Sequence, residues 1–233
     1  MKVRIQFSKH GPLKFIGHLD IMRYFQKAMR RAEIDIAYTG GFSPHQIMSF
    51  AAPLGVGLES DGEYMDIEVL SHNGKEAMKA ALNAVMAEGI EVLSVRMLPE
   101  KAKNAMASVA AAGYFITFRA GYEPDFLNEK ALQQFYEKES IPFVKKTKKG
   151  ETMLNLKPGI YELRTEGKGV YMLVDASSGG NIKPGMVIDA FYRENGQKLP
   201  EFALEITRTD MYMDTGTDKE RHFIPLRDGG EDF

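Results

Sequence analysis

Residues 3–7 alternate apolar and polar side chains, the period of a β-strand with one face in a core. A second short strand is predicted at 13–16, after the Gly11-Pro12 turn. From 19 to 32 the apolar positions Leu19, Met22, Phe25, Met29 and Ala32 fall three or four apart, which predicts an amphipathic helix. Lys27, Arg30 and Arg31 occupy its last turns, where cations suit the helix dipole. Strands are predicted at 34–38, 46–51 and 64–70, a helix at 75–86 before Gly89, and a strand at 90–98. After a linker at 99–106 the series resumes. It runs through a strand at 113–119, a helix at 125–138 opened by Pro124-Asp125, and strands at 142–146 and 153–156. A hairpin at 160–164 and 170–174, a helix at 184–192 and a strand at 202–208 complete it. The polar, glycine-rich residues from 214 onward are expected to be loose.

The two series match when the chain is slid against itself by 107 residues. Ile34-Asp35-Ile36 then falls on Ile141-Pro142-Phe143, Phe7 on Tyr114, Phe25 on Leu132, and Gly62 on Gly169. A period this long is a domain duplication, since solenoid units are far shorter. Each half reads strand, helix, two or more strands, helix, strand, which is the split βαβ pattern. The expected fold class is therefore α+β, a tandem duplication of ferredoxin-like units. The expected units are residues 1–105 and 106–213, followed by a polar tail at 214–233.

Composition narrows the chemistry. The chain has no cysteine, which excludes disulfides, thiol nucleophiles and cysteine-held zinc or iron–sulfur centres. No apolar run approaches a membrane span and no signal-peptide pattern opens the chain, so a cytoplasmic protein without membrane contact is expected. The formal charge of -2 hides a segregation. Residues 1–50 carry eight Lys or Arg against three acids, and residues 140–170 carry seven against three, whereas residues 51–100 carry nine acids against three bases. Basic segments of this kind fit an anionic partner, or a patchy solvated face.

Four constellations could carry chemistry. His18, Asp20 and Arg23 stand at the start of the first helix, where exposed backbone N–H groups attract anions; the same residues also fit a cap and a helix-start acid. The loop Gly40-Gly41-Phe42-Ser43-Pro44-His45 is matched in the second half by the basic turn 147–152, which fits two lips of a cleft or two ordinary turns. His10, His18 and His45 could form a histidine-only metal site that their spacing neither forbids nor proposes, and no metal or cofactor is expected. Glu59, Asp61, Glu63, Asp66 and Glu68 read as a solvated strand face, or as ligands for a hard cation or general acid–base groups. No phosphate loop, dinucleotide fingerprint or nucleophile elbow is present.

Several of these motifs, taken together, carry a resemblance. Gly17-His18-Leu19-Asp20, Arg23, Arg30-Arg31-Ala32, Tyr38, Gly41-Phe42-Ser43-Pro44-His45, Pro53-Leu54-Gly55-Val56-Gly57 and Glu63-Tyr64 resemble the radical-SAM-linked family of unknown function, whose domain occurs beside or fused to radical-SAM proteins. The resemblance implies a radical-SAM partner. With no cluster ligands of its own, the chain is expected to be an accessory or substrate-binding partner of such an enzyme, binding RNA in a cleft between the repeats. The residues expected to bind are His18, Asp20, Arg23, Arg30, Arg31, Tyr38, Phe42, His45, Lys145, Lys146, Lys148 and Lys149, combining cations for phosphates with rings for bases. The alternative is an enzyme acting on RNA or a small anionic substrate through His18, Asp20, Arg23 and His45.

Overall fold

A computed structural model describes residues 1–147, 150–217 and 220–233. The chain is α+β, with mostly antiparallel strand pairs and few helices. It divides into two compact units, residues 1–110 with 208–233, and residues 111–207. The sequence expectation set its boundary at 105/106 and left residues 214–233 outside both units. The structure sets the boundaries at 110/111 and 207/208 instead, and the tail belongs to the first unit.

In the first unit, β1 (Lys2–Lys9) is followed by a 3-10 turn (Gly11–Phe15) and the helix α1 (His18–Arg31). Then come β2 (Met48–Phe50), β3 (Glu59–Glu68), α2 (Lys75–Asn83) and β4 (Ile90–Met97). β1 pairs antiparallel with both β3 and β4, and β2 pairs antiparallel with β3, so the order is β4-β1-β3-β2. The strand predicted at 13–16 is a 3-10 turn, opened by Gly11 at φ 62° and Pro12 at its start. The helix α1 buries Ile21, Phe25, Ala28 and Met29 against Val3, Ile5 and Phe7 of β1 and Met65 and Ile67 of β3. Phe7, Phe25 and Phe50 form the aromatic centre of this core, with ring centroids 4.6–6.1 Å apart.

The alternation in β1 predicts a wetted second face, yet that face is also buried. Arg4 is 1% exposed, and Gln6 and Ser8 are nearly as covered. Cover comes from the short helix α3 (Ala105–Ser108) with the segment before it, and from the tail. β10 (Leu204–Asp214) pairs antiparallel through Tyr212, Met213 and Asp214 with β11 (Phe223–Pro225). Leu226 is fully buried, and Glu231 exchanges both backbone hydrogen bonds with Met97. The tail is thus held by backbone pairing, and its polar composition suits the polar face it covers.

The second unit contains β5 (Ala111–Phe118), α4 (Glu129–Tyr136), the hairpin β6 (Pro142–Thr147) and β7 (Gly150–Asn155), β8 (Ile160–Glu166), β9 (Gly169–Asp175) and α5 (Pro184–Glu194). β9 pairs antiparallel with β5 and β8, and the β6–β7 hairpin forms a sheet of its own. Leu132, Phe135, Phe191, Ile116, Val170 and Met172 are all buried, with the Phe135 and Phe191 rings 5.4 Å apart. The helix α4 starts four residues later than predicted, because Asn128 caps it by accepting from the Ala131 N–H at 3.0 Å. Among the described residues, no helix is long and apolar enough to cross a membrane.

Candidate functional site

The chain leaves α1 through Glu33, whose φ of 53° turns it back toward β3. Ile36 bridges Val69, and Tyr38 bridges Gln46, so residues 39–45 become the tip of a small hairpin. Thr39 closes that tip. Its N–H donates to the His45 carbonyl at 2.9 Å, and its hydroxyl accepts from the His45 N–H at 3.1 Å. The same hydroxyl lies 3.1 Å from His45 Nδ1. Gly41, at φ 98°, takes a backbone conformation that side chains disfavour, and the turn throws Phe42 fully into solvent. Tyr38 is also exposed.

Gln46 ties this hairpin to the helix. Its side chain is buried, and Nε2 donates to the Gln26 carbonyl at 3.2 Å and to the Tyr38 hydroxyl at 3.4 Å. The Gln26 carbonyl also accepts from Arg30 Nε at 3.3 Å. One carbonyl therefore joins the Arg30 guanidinium to the base of the hairpin that carries Tyr38 and Phe42. The last turns of α1, which carry Arg30, also carry Lys27. Gln46 Oε1 is buried without a hydrogen-bond partner among the described residues. Gln26 and Gln46 escaped the sequence reading, because neither has a periodic or motif signal.

The other expected residues are distributed. Asp20 and Arg23 pair with each other at 3.5 Å on the exposed side of α1, an exposed pair worth little energetically. His18 turns inward and packs edge-on against Phe50 at 5.5 Å, where burial lowers its pKa. His45 is engaged with Thr39 and with the Ser43 carbonyl. Arg31 donates to the Val85 carbonyl at 3.1 Å and lies over the Tyr24 ring, a fastening of α1 to the end of α2. Lys145 is exposed on β6, and the Lys146 backbone pairs with Glu151. Lys148 and Lys149 lie outside the described residues.

The acidic strand differs from its solvated reading. Asp66 is buried and grips Arg4 through both oxygens, at 2.8 and 3.0 Å. Glu63 is buried on the opposite face and takes Arg208 Nη1 through both oxygens, at 2.9 and 3.2 Å. Partners 62 and 145 residues away leave no local trace in the sequence. Only the outer acids remain accessible, with Glu59 and Asp61 flanking His10.

The inward turn of His18 has a pH consequence. A base whose folded pKa is lowered binds fewer protons folded than unfolded, so stability falls as pH drops through the ordinary histidine value of 6.5. Unfolding in urea at pH 7.5 and 5.0 should show a smaller acid-side loss for His18→Gln than for the parent. Buried Glu63 and Asp210, whose pKa values burial raises, act with the opposite sign but equally in both proteins. Equal pH responses would remove His18 as a contributor.

A family model described as an uncharacterized protein conserved in bacteria matches residues 2–184. Comparison with curated proteins found no match. Among solved structures, a chain in the crystal structure of a Cbf5-Nop10-Gar1 complex is similar at 10% identity and a TM-score of 0.46, over 90% of this chain and 48% of that one. This chain therefore spans about half the length of that one.

Proposed function

The chain belongs to the DUF2344 family of proteins conserved in bacteria, and from that premise we propose that it binds single-stranded RNA as an accessory subunit of a radical-SAM enzyme. The observation that carries this reading is the Gln26 carbonyl, which links Arg30 to the hairpin presenting Tyr38 and Phe42. A fully exposed phenylalanine leaves roughly 1.5–3 kcal/mol of burial free energy unused in the free protein. A base stacked on that ring recovers part of it, while Arg30 and Lys27 meet the phosphates. Lys145, exposed on the second unit's hairpin, is a further candidate for a sequence-independent phosphate contact in this reading.

The radical-SAM partner rests on the motif resemblance and on the lack of cysteine, which makes a partner supply any cluster. The reading also takes the two units as duplicated ferredoxin-like modules. It is supported by the strand order β4-β1-β3-β2 in the first unit and β5-β9-β8 in the second, each unit with a helix after its first strand.

Fluorescence anisotropy with a labelled single-stranded RNA, titrated at two salt concentrations, tests the proposal. Phe42→Ala should weaken binding by roughly 1–3 kcal/mol, about 5- to 150-fold, with an unchanged salt slope. Arg30→Ala should flatten the slope by roughly 0.7. Absence of saturable binding, or full affinity in both variants, would overturn the reading.

A further inference from the structure

Lys2 and Glu68 stand directly opposite each other on β1 and β3, one pair beyond Arg4 and Asp66 in the same register. Residues two apart on a strand share a face, so all four lie on the face that the segment before α3 covers. Arg4 and Asp66 neutralise each other there. Lys2 and Glu68 do not. Among the described residues, neither side chain makes a hydrogen bond or an ion pair. Opposite charges placed across a sheet ordinarily attract each other, so two open ones side by side are a feature to explain.

Residues 98–105 pass over this end of the sheet and are tied down at both ends. The Leu98 N–H donates to the Lys2 carbonyl at 2.9 Å, and the Ala105 N–H donates to Asp66 at 2.6 Å. On the sheet side, the Ile47 carbonyl accepts from the Glu68 N–H at 3.2 Å, and Ser49 stands opposite Asp66. Between segment and sheet lies a pocket of about 250 Å³. Lys2, Glu68, Ser49 and Asn104 supply its open polar groups, and Ile47, Met48, Leu98 and Ala102 its apolar wall. The Ser49 hydroxyl has no hydrogen-bond partner among the described residues. Asn104 uses its amide oxygen to cap the Ala107 N–H at 2.8 Å, which leaves its amide N–H donors. Asp66 also lines the pocket but adds no free charge, because Arg4 holds both its oxygens. Lys101 and Lys103 flank Ala102 and are exposed outside the lining. The described lining therefore offers one open ammonium, one open carboxylate and an aliphatic wall. Its complement carries both charges itself. The volume lies just below the roughly 300–1,000 Å³ of ordinary ligand pockets, which suits a small metabolite and is too little for a nucleotide.

We propose that this pocket binds a free α-amino acid with an aliphatic side chain. The ligand's carboxylate takes Lys2 and the Asn104 amide, its ammonium takes Glu68 and the Ser49 hydroxyl, and its side chain lies against Ile47, Leu98 and Ala102. The two charges of an α-amino acid sit on neighbouring atoms of one carbon, which matches two opposite charges on directly paired residues. The site is independent of the RNA reading, since Arg30, Tyr38 and Phe42 contribute nothing to it.

The probes are L-leucine and two analogues that each lack one charge, titrated into the full chain and followed by ligand-observed NMR. 4-Methylpentanoate lacks the ammonium, and 3-methylbutan-1-amine lacks the carboxylate. Leucine should bind saturably and each analogue at least tenfold more weakly. Lys2→Met should lower leucine affinity at least tenfold and leave that of 3-methylbutan-1-amine unchanged. Glu68→Gln should lower leucine affinity by a similar factor and leave that of 4-methylpentanoate unchanged. No saturable leucine binding, an analogue that binds as well as leucine, or parent-like leucine binding in either variant overturns the proposal. The analogues are compared on the parent chain, so that comparison decides even if a variant does not fold.

Discussion

Asp66→Ala should destabilise the protein by about 3–5 kcal/mol, because it strands a buried guanidinium. Arg4 donates to both Asp66 oxygens, to the Leu226 carbonyl at 3.1 Å and to the Lys103 carbonyl at 3.3 Å. Asp66 also accepts from the Ala105 N–H at 2.6 Å. One ion pair thus fastens β3, the start of α3 and the tail to β1. For a chain of this size each kcal/mol is worth roughly 2–4 °C, so the melting temperature should fall by roughly 6–20 °C. Removing both charges in Arg4→Met with Asp66→Leu should cost less than Asp66→Ala alone, since no ion is left without its partner. Urea titrations of the three proteins measure this. A loss below about 1 kcal/mol for Asp66→Ala would show that water reaches Arg4.

Arg208→Met should cost a similar amount at pH 8, about 3–5 kcal/mol, and that cost should depend on pH. Burial already raises the Glu63 pKa above its ordinary 4.5, and Arg208 opposes that rise. Without Arg208 the rise grows. A carboxyl with a raised folded pKa holds more protons folded than unfolded, so stability falls as pH climbs from about 4.5 through the folded value. The variant's penalty should therefore be larger at pH 8 than at pH 5, because protonation of Glu63 turns it into a neutral buried acid. Chemical denaturation across that range checks it. A penalty independent of pH would mean that Lys9, on the same face, has taken over the compensation.

Both ion pairs sit on one strand and point to opposite faces, which explains why the sequence pattern misjudged that strand. Alternating acids on a strand normally mark a wetted face. Here Glu63 lies under α1, and Asp66 lies under the tail and the segment before α3. Their partners come from β10 and β1, and no window along the chain contains both halves of either pair. The helix α1 shows the converse. Its stripe correctly marks Phe25 and Met29 as core, yet Leu19 ends up exposed, because it stands about 200° around the helix from the buried Ile21. The loop at 39–45 was legible as a shaped turn from its glycines and proline, but its tie to Arg30 was not. That tie runs through the buried amide of Gln46 and a backbone carbonyl, and neither has a sequence signature.

The sequence by itself determined the elements whose driving force is local. Period two built β1, a three-to-four spacing built α1, and the absence of cysteine removed whole classes of chemistry. It also placed Phe25 and Leu132 correctly in buried positions of their own units, because a helix must bury its apolar stripe wherever it docks. Only the tertiary structure decided what covers the two faces of β1 and β3, and hence whether Arg4, Glu63 and Asp66 are surface charges or buried ones. Their partners stand 39–222 residues away, and a charge's pattern along the chain is the same whether water or protein lies above it.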